Sequence, residues 1–386
     1  MNSQAFQLSN EHRQPKFNRS RQEGVTLLEV LVAMIIFLLV TGTIWGLLEV
    51  GRVDRNRSSV RSDVLKNIRM SVNLIGRDAL NAGLGYSKTG GLVPDNFLPK
   101  LFGKNDAGAL LMTPDTNPDR DLLSGIIVGN NVIPNDLAGA GVLTDTIAFA
   151  FNDPTFNPQP PAANANPPGS PANPGGALSL SKYVNTGPEA VQIAGSNRNG
   201  SDNSVCTVNS IYLIGTSTTT VAVMSTGLVG SDAVAFNAGD PLGINLTSGG
   251  SGNSASLLPT LVYPASMQRV YLVSYRVTQK GTLVRTTFGN YGVNPGSNPG
   301  GQPQEQELAY NVENMQIQYL LNDGTVTDDP SNNGSDYTKA NNIRQVTITL
   351  TAQGSELDTK TGKPIKITLS STFSTRNMNY NSIKTF

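Results

Sequence analysis

Hydrophobic positions divide the first 84 residues into three parts. Residues 1–24 are polar and basic, and an apolar run that contains only two carboxylates, Glu29 and Glu49, follows from residue 25 to residue 50. That run is long enough to cross a hydrocarbon layer of ~30 Å as a helix. The pattern predicts a single membrane-spanning segment at 25–50 with the basic leader on the cytoplasmic side.

The pattern changes from uniformly apolar to amphipathic over residues 51–84. Aliphatic residues recur there at intervals of four and seven, with basic residues on the other faces, which is typical of a helix with one buried face. No proline interrupts residues 25–82. We therefore predict one helix over 25–82, whose second half packs on a globular body through Val53, Val60, Val64, Ile68, Ile75 and Ala79. The basic residues indicate a solvated or inter-subunit face, with contact to acidic lipid or an inverted topology as alternatives.

The remainder, residues 85–386, shows the period-two alternation of half-buried antiparallel strands. In one run Met315, Ile317 and Tyr319 alternate with glutamines, and in another Val346 and Ile348 alternate with threonines. Residues 279–281 have the composition of a hairpin turn. The sequence predicts an α+β fold in which the helix packs on an antiparallel sheet, with strands at 145–151, 210–215, 219–224, 269–277, 282–288, 315–320, 343–351 and 365–373.

Three segments rich in Pro, Gly, Asn and Ser interrupt this body, at 154–178, 247–256 and 292–304. They hold few large apolar side chains, so they are predicted to be long surface loops. The alternative is that they are exposed segments that contact a surface or a partner.

Composition removes most enzymatic chemistry from consideration. Among 386 residues, 28 basic side chains balance 28 acidic ones, and there is one cysteine, Cys206, and one histidine, His12. These counts exclude an intrachain disulfide, a Cys/His zinc site and, in a chain cut after the leader, a Ser/His/Asp triad. We expect a protein that is not an enzyme, and a buried Cys206 that acts as a small hydrophobic side chain.

Two acidic tracts have some of the oxygen-bearing side chains of a calcium-binding loop. Residues from Asp115 to Asp121 alternate oxygen-bearing side chains, but Arg120 stands where an EF-hand loop needs glycine. A second tract supplies the weak candidates Asp329, Ser331, Asn333 and Asp336, with Ala340 where the last ligand should be. Turn formation is the favoured interpretation of both tracts, so no cofactor is predicted and calcium stays an alternative. A DNA-binding strand pair is a further alternative, on Arg269, Tyr271, Tyr275, Arg276 and Arg285.

The junction at Gly24 carries the most specific signal. A glycine is followed at once by Val25, Thr26, two leucines and Glu29, and this carboxylate lies inside the apolar run, where an unpaired charge costs ~2.5 kcal/mol or more. The segment at 23–34, EGVTLLEVLVAM, resembles the class III signal of type IV prepilins. An uncleaved signal-anchor with a chance glutamate is the alternative.

The resemblance implies specific roles for three residues. In that family a membrane peptidase cuts after the glycine, here Gly24, and methylates the new N-terminal amine, here that of Val25. Glu29 would then pair with the N-terminal amine of a neighbouring subunit and set the register of docking. The implied partners are the prepilin peptidase, other pilin subunits, the inner membrane and the pilus assembly platform.

A finer resemblance rests on elements near the end of the helix and in the last third. The pair Arg77–Asp78, and segments at 270–288, 310–324, 343–353 and 371–379, are similar in order to PilW-like minor pilins. This likeness implies a minor subunit at or near the pilus tip that primes assembly. The alternatives are a J-like pseudopilin of a type II secretion system, or a fibre-borne module for adhesion or for the DNA uptake of competence. The expected location is a single-pass inner-membrane precursor with its body outside the cytoplasm, then the cell-surface pilus.

Overall fold

A computed structural model gives the fold of the chain outside several short segments. Two compact units are present, Met1–Asn56 and Arg57–Phe386. The predicted division of the helix after residue 50 stays a prediction. The structure describes residues 24–85, 90–105, 108–114, 120–139, 141–157, 176–185, 188–194, 203–216, 218–245, 255–290, 300–331 and 337–379.

One long helix, α1, runs from Leu27 to Asn81, which confirms the helix predicted over 25–82. Its second half buries a single stripe of side chains, because residues three and four apart lie on the same face. Ile68, Ile75 and Ala79 of the predicted stripe are fully buried. Val72, which the sequence analysis omitted, is buried with them, whereas Val60 and Val64 are half-buried.

Close packing at the end of α1 explains one glycine of the buried half. A Cβ atom added at Gly76 would lie 2.1 Å from Cε1 of Phe373. Any side chain there must displace the ring, since contacts under 3.0 Å are not tolerated between carbon atoms. Glycine at position 76 therefore lets the helix approach the last strand of the body.

The body is built from strands. In chain order they are β1 (Gly91–Val93), β2 (Asp121–Leu123), β3 (Ile126–Pro134), β4 (Leu143–Asn152), β5 (Leu178–Asn185), β6 (Glu189–Ile193), β7 (Ile211–Gly215), β8 (Thr220–Met224), β9 (Gly227–Val229), β10 (Ala233–Ala235), β11 (Ala265–Val277), β12 (Leu283–Phe288), β13 (Gln304–Ala309), β14 (Val312–Leu321), β15 (Val326–Thr327), β16 (Ile343–Leu357) and β17 (Pro364–Ser374). Short 3₁₀ helices lie at Leu98–Phe102, Ala255–Thr260, Tyr337–Asn342 and Arg376–Asn379.

A four-stranded antiparallel sheet with the order β15-β14-β16-β17 forms the end of the chain. Its pattern agrees with the prediction, since Met315, Ile317 and Tyr319 are buried and Gln318 between them is exposed. Half-buried Ile367 also packs against the apolar cluster of this sheet. The inner face of the sheet therefore supplies the surface that the helix stripe covers.

A thirteen-stranded sheet holds the rest, with the path β2-β1-β8-β7-β11-β5-β6-β10-β9. Its longest strand, β11, changes neighbours along its length. Residues 265–269 pair with β5 and β7, and residues 270–277 pair with β4 and β12. All pairings are antiparallel except the single contact between β1 and β8. The predicted turn at 279–281 joins β11 to β12, where Gly281 has a φ of +79° that favours glycine.

Apolar side chains form three clusters. The first joins the helix stripe to the four-stranded sheet and to the inner residues of β3, β4, β11 and β12. The second surrounds Phe97 and Phe102, and the third surrounds Tyr212 and Phe236 and includes Cys206, which is buried as predicted. The middle of the chain therefore carries two cores of its own, whereas the sequence analysis found only two strands between residues 154 and 260.

A buried carboxylate joins the two sheets. Asp145 on β4 accepts a hydrogen bond from the amide of Asn131 on β3 at 2.8 Å and one from the amide of Ile317 on β14 at 2.7 Å. Burial raises the pKa of Asp145 to about 6, although both amides lower it, and Asp328 and Asp329 raise it further. No sequence signal marked this residue, because its two partners come from distant strands.

The three predicted loops are shorter in sequence than their predicted bounds where the structure describes their ends. Residues 158–175, 247–254 and 292–299 lie outside the described residues. At the ends of the first loop Phe156 and Leu178 are buried, and the amide of Gly176 donates to the carbonyl oxygen of Asn157 at 3.4 Å. Phe156, inside the predicted bounds, is therefore part of the packed body, and Leu178 is the first residue of β5.

Candidate functional site

The residues of the predicted cleavage and assembly site lie at the N-terminal end of α1. Gly24, Val25 and Thr26 precede the helix, and Glu29 lies in its first turn. The amide of Glu29 donates to Oγ1 of Thr26 at 3.3 Å, and the amide of Val30 donates to the carbonyl oxygen of Thr26. A threonine followed three residues later by glutamate is the capping-box pattern for a helix N-terminus. The negative charge of Glu29 also suits this end of the helix dipole.

Gly24 is accessible and its identity is not explained by packing. A Cβ atom added at this position meets nothing within 4 Å, and the neighbouring Val25 is 70% exposed. No positive φ is present at Gly24 that would demand glycine. The fold of the described residues would therefore accept a larger side chain at position 24.

The apolar half of α1 is exposed along its whole length. Leu27, Phe37, Trp45 and Leu47 are each between 69% and 85% exposed. By length and composition this helix is able to cross a membrane. Such a surface is stable only against lipid or against other apolar helices, since water around it is unfavourable.

The two carboxylates of this half differ in their surroundings. At its C-terminal end Glu49 binds the guanidinium of Arg52 through hydrogen bonds of 3.0 and 3.1 Å. At its N-terminal end, the carboxylate of Glu29 has no cation or hydrogen-bond donor among the described residues. A charge inside an apolar environment is unfavourable without a partner, so Glu29 differs from Glu49 in having that requirement unmet among the described residues.

A third carboxylate of α1, Asp78, is buried and fully paired. Its Oδ2 accepts from the hydroxyl of Tyr275 at 2.6 Å and from Nε and Nη2 of Arg285 at 3.1 and 2.9 Å. Arg77, its neighbour in sequence, is 63% exposed and lies at 3.3 Å from Oδ1. The main partner is Arg285, which sequence spacing gave no means to identify.

This cluster is structural in character. Burial, followed by the charge of Asp78, raises the pKa of Tyr275 above its usual range. Burial lowers the pKa of Arg285, but Tyr275 and Asp78 raise it by more. The arginine and tyrosine thus stay protonated. They hold the end of the helix against β11 and β12 as a structural ion pair and not as a proton-transfer site.

The other arginines considered for DNA binding are also engaged. Arg269 is buried and donates to Oδ2 of Asp153 from Nε at 2.8 Å, and its guanidinium lies over the ring of Phe156. Arg276 pairs with Glu305. With these side chains committed to ion pairs, the β11–β12 pair offers little free positive charge to a phosphate backbone.

Where the structure describes them, the second calcium tract forms a turn and the last residue of the first tract begins β2. Oδ1 of Asp329 accepts from the amide and hydroxyl of Ser331 at 3.2 and 3.0 Å. Asn333 and Asp336 lie outside the described residues, as does most of the first tract. Asp121, its last residue, is buried and accepts from the amides of Phe97 and Leu98. Among the described residues no group of three or more acidic, His or Cys side chains is arranged to hold a metal ion.

Comparison with known families supports the assignment of the first turn. Residues 19–45 match the family described as the prokaryotic N-terminal methylation motif. No curated protein and no solved structure gave a match. The motif indicates a precursor of the type IV pilin or pseudopilin type, which a peptidase processes and which assembles with other pilins. With the exposed apolar helix, it supports a membrane-anchored single-pass precursor.

Proposed function

We propose that this protein is a minor type IV pilin of the PilW-like kind, which acts at or near the pilus tip and primes assembly. Its role is structural and not enzymatic. The observation that carries the proposal is the first turn of α1, where an accessible Gly24, an exposed apolar surface and an unpaired Glu29 coincide with the methylation motif. Each of these features is unexplained within the chain and each is explained by a fibre.

Processing would create the missing partner of Glu29. Cleavage after Gly24 leaves a cationic amine on Val25, which keeps its charge after methylation. A neighbouring subunit that brings this amine to Glu29 relieves the desolvation cost of the carboxylate. The pairing also fixes the axial position of one helix against the next, since a displaced helix leaves both charges unpaired.

Mass spectrometry of the N-terminus tests the processing step. In cells that contain the peptidase, the chain recovered from fibres should begin at N-methylated Val25. Gly24→Leu should block cleavage without destabilising the body, because position 24 has open space around it. Intact leader on chains recovered from fibres would contradict the proposal.

A pair of carboxylate substitutions tests the assembly step. Glu29→Val should leave cleavage intact and reduce the amount of protein in sheared fibres by at least about tenfold, because the register-setting charge is lost. Glu49→Val is the matched control in the same apolar segment. It breaks only an exposed pair with Arg52, so it should assemble nearly normally. Equal effects of the two substitutions would contradict a specific role for Glu29.

The finer assignment rests on the last third of the chain. The segments similar to PilW-like pilins fall on β11–β12, β14 and β16–β17, the strands that surround the helix stripe. A J-like pseudopilin of a type II secretion system is the alternative. Disruption of the gene should abolish surface pili if the protein serves a pilus, and should abolish protein secretion with pili retained if it serves the secretion system.

A binding role of the long loop is a second candidate function. The carbonyl of Asn157 and the amide of Gly176 are hydrogen-bonded, so residues 158–175 leave and re-enter the body at one point. Replacing 158–175 by a short glycine linker should therefore spare the fold. Unchanged piliation with lost adhesion or DNA uptake would favour the binding role, whereas lost piliation would favour assembly.

A further inference from the structure

The outer edge of β17 lacks a partner strand in the described part of the chain. β17 pairs with β16 on one side, and the order β15-β14-β16-β17 places it at the end of its sheet. The strand is eleven residues long. An edge of this length presents a row of unpaired main-chain groups to its surroundings.

The register identifies the groups that face outwards. The amide of Thr375 donates to the carbonyl oxygen of Arg344 at 3.0 Å, directly beyond the last ladder pair, Gln345 with Ser374. Because bonded and non-bonded pairs alternate in an antiparallel ladder, every second residue back from Thr375 bonds to β16. The main-chain N–H and C=O groups of the residues between point away from β16; these residues are Thr368, Ser370, Thr372 and Ser374.

The composition of this edge is unusual for an unpaired one. Residues 368–374 contain no charge, proline or glycine, although such residues commonly protect exposed edges; in β17 a proline and a charge, Pro364 and Lys366, are confined to the start of the strand. The edge strand β13 follows the common rule, because it carries Glu305 and Glu307. The edge strand β3 is nine residues long but contains Gly129, a register shift and a terminal Pro134, and the edge strands β2, β9 and β15 are only two or three residues long.

The two faces of β17 define what an added strand would meet. On the outer face, Thr368, Ser370 and Thr372 are exposed and bond to hydroxyls of β16 at 2.9–3.0 Å. On the inner face, Ile367, Leu369 and Phe373 pack against the helix cluster but remain only half-buried. The apolar core is therefore incompletely covered at this edge. A further strand with aliphatic residues on one face would cover it.

We propose that the outer edge of β17 is a docking site for an extended strand of another pilin-type subunit. Outward N–H and C=O groups at every second residue fit the main chain of a strand, which adds by β-augmentation. Aliphatic side chains of the incoming strand extend the cluster around Ile367 and Phe373, and small polar ones extend the hydroxyl face. This inference rests on the proposed fibre function and names one contact within the fibre.

Removing one outward amide tests the docking edge. Ser370→Pro deletes an N–H that β16 does not use, and edge strands tolerate proline at such positions. The full chain with Ser370→Pro should be processed and should melt within a few degrees of the wild type. Its amount in sheared fibres should fall by about tenfold, because the incoming strand loses a hydrogen bond and meets the proline ring.

The matched control is Ser370→Ala, which removes the hydroxyl but keeps the amide. Its amount in the fibre should change by less than about twofold if the main chain carries the contact. Wild-type levels of Ser370→Pro in fibres would overturn the docking site and leave the proposed function standing. Absence of the wild-type chain from fibres would overturn both.

Amide hydrogen exchange of the wild-type chain gives a second test of the docking site, and this test requires no substituted variant. In the detergent-solubilised wild-type chain, the amides of Thr368, Ser370 and Thr372 should exchange rapidly, and those of Leu369 and Ser371 slowly. In purified fibres all five should be protected. Unchanged rapid exchange of the three outward amides in fibres would overturn the proposal, whatever the behaviour of the proline variant.

Discussion

Two carboxylates in the two halves of α1, Asp78 and Glu29, have opposite surroundings. In the second half, Asp78 is buried and receives hydrogen bonds from Arg285 and Tyr275 of the same chain. In the first half, Glu29 lies on an exposed apolar surface and has no partner among the described residues. The chain completes the environment of one carboxylate and leaves the other incomplete. The second half of the helix thus stabilises the fold, and the first half is built for assembly.

The largest effect on stability is expected when the second half of the helix is removed. A chain that begins at Arg57 retains the buried stripe and should fold as a soluble body. A chain that begins at Gly90 loses Ile68, Val72 and Ile75, worth about 1.5–3 kcal/mol each, which is comparable to a total stability of roughly 5–15 kcal/mol.

Thermal melting and size-exclusion chromatography decide the outcome. The chain from Arg57 should melt cooperatively as a monomer, and the chain from Gly90 should aggregate or melt at much lower temperature. Similar melting of the two chains would show that the helix stripe does not stabilise the sheets, and the division of α1 into two roles would be wrong.

The sequence could predict some elements of the fold and not others, and the two groups differ in the regularity of their hydrophobic pattern. The helix and the strands at 315–320 and 343–351 follow regular periods, because one face of each packs on a continuous apolar cluster. Strands β3 and β5 escaped detection. Each contains a register shift, after Gly129 and after Leu180, and a bulge interrupts the alternation on which detection depends.

The candidate sites show a similar limit. Gly24, Val25 and Glu29 could be predicted because they stand in a short continuous motif, and their roles stay predictions. Arg285 was not identified as the partner of Asp78, because 207 residues separate the two in sequence. Long-range pairing of buried charges depends on the register of several strands, and local spacing carries no information about it.

The next largest effect should come from breaking the buried pair. Asp78→Ala leaves Arg285 without its carboxylate in a buried site, which should destabilise the body by about 3–5 kcal/mol. Arg77→Ala is the control, since this side chain is 63% exposed and its removal should cost less than about 1 kcal/mol. Urea unfolding of the chain from Arg57 measures both.

A double substitution separates pairing from packing. Asp78→Leu with Arg285→Met removes both charges, and this double variant should be more stable than Asp78→Ala. If it is no more stable than Asp78→Ala, the loss of packing and not the unpaired charge would account for the single variant. The contrast between Asp78 and Glu29 would then lose its electrostatic basis.

The pH dependence of stability tests Asp145, a buried carboxylate whose hydrogen bonds come from main-chain amides and not from a cationic side chain. Burial raises the pKa of Asp145 to about 6, above the value of an unfolded chain, so the folded state holds the proton more tightly. Its contribution to stability is therefore fully present below about pH 4 and is lost as the pH rises through about 6. The loss amounts to about 3 kcal/mol, since each pKa unit is worth about 1.4 kcal/mol.

Comparison of the wild type with Asp145→Asn isolates this contribution. In the chain from Arg57, the unfolding free energy of the wild type should fall relative to that of Asp145→Asn as the pH rises from about 4 to 7, with most of the fall below about pH 6. Parallel pH profiles would show that Asp145 does not titrate in this range.

The smallest effect on stability is expected from substitution of two glycines, one in each half of the helix. In the buried half, Gly76→Ala places a methyl group about 2.1 Å from the ring of Phe373 and should cost about 1–3 kcal/mol through overpacking. In the exposed half, Gly46→Ala meets nothing within 4 Å and should leave the melting temperature of the body unchanged, because alanine only improves local helix propensity. Adding Phe373→Leu to Gly76→Ala makes room for the methyl group and should restore part of the loss. Differential scanning calorimetry of the full chain in detergent measures all three variants. If Gly76→Ala lowers the melting temperature as little as Gly46→Ala does, the second half of α1 is not packed tightly against β17. A strand that docks on β17 would then also have to hold the helix in place.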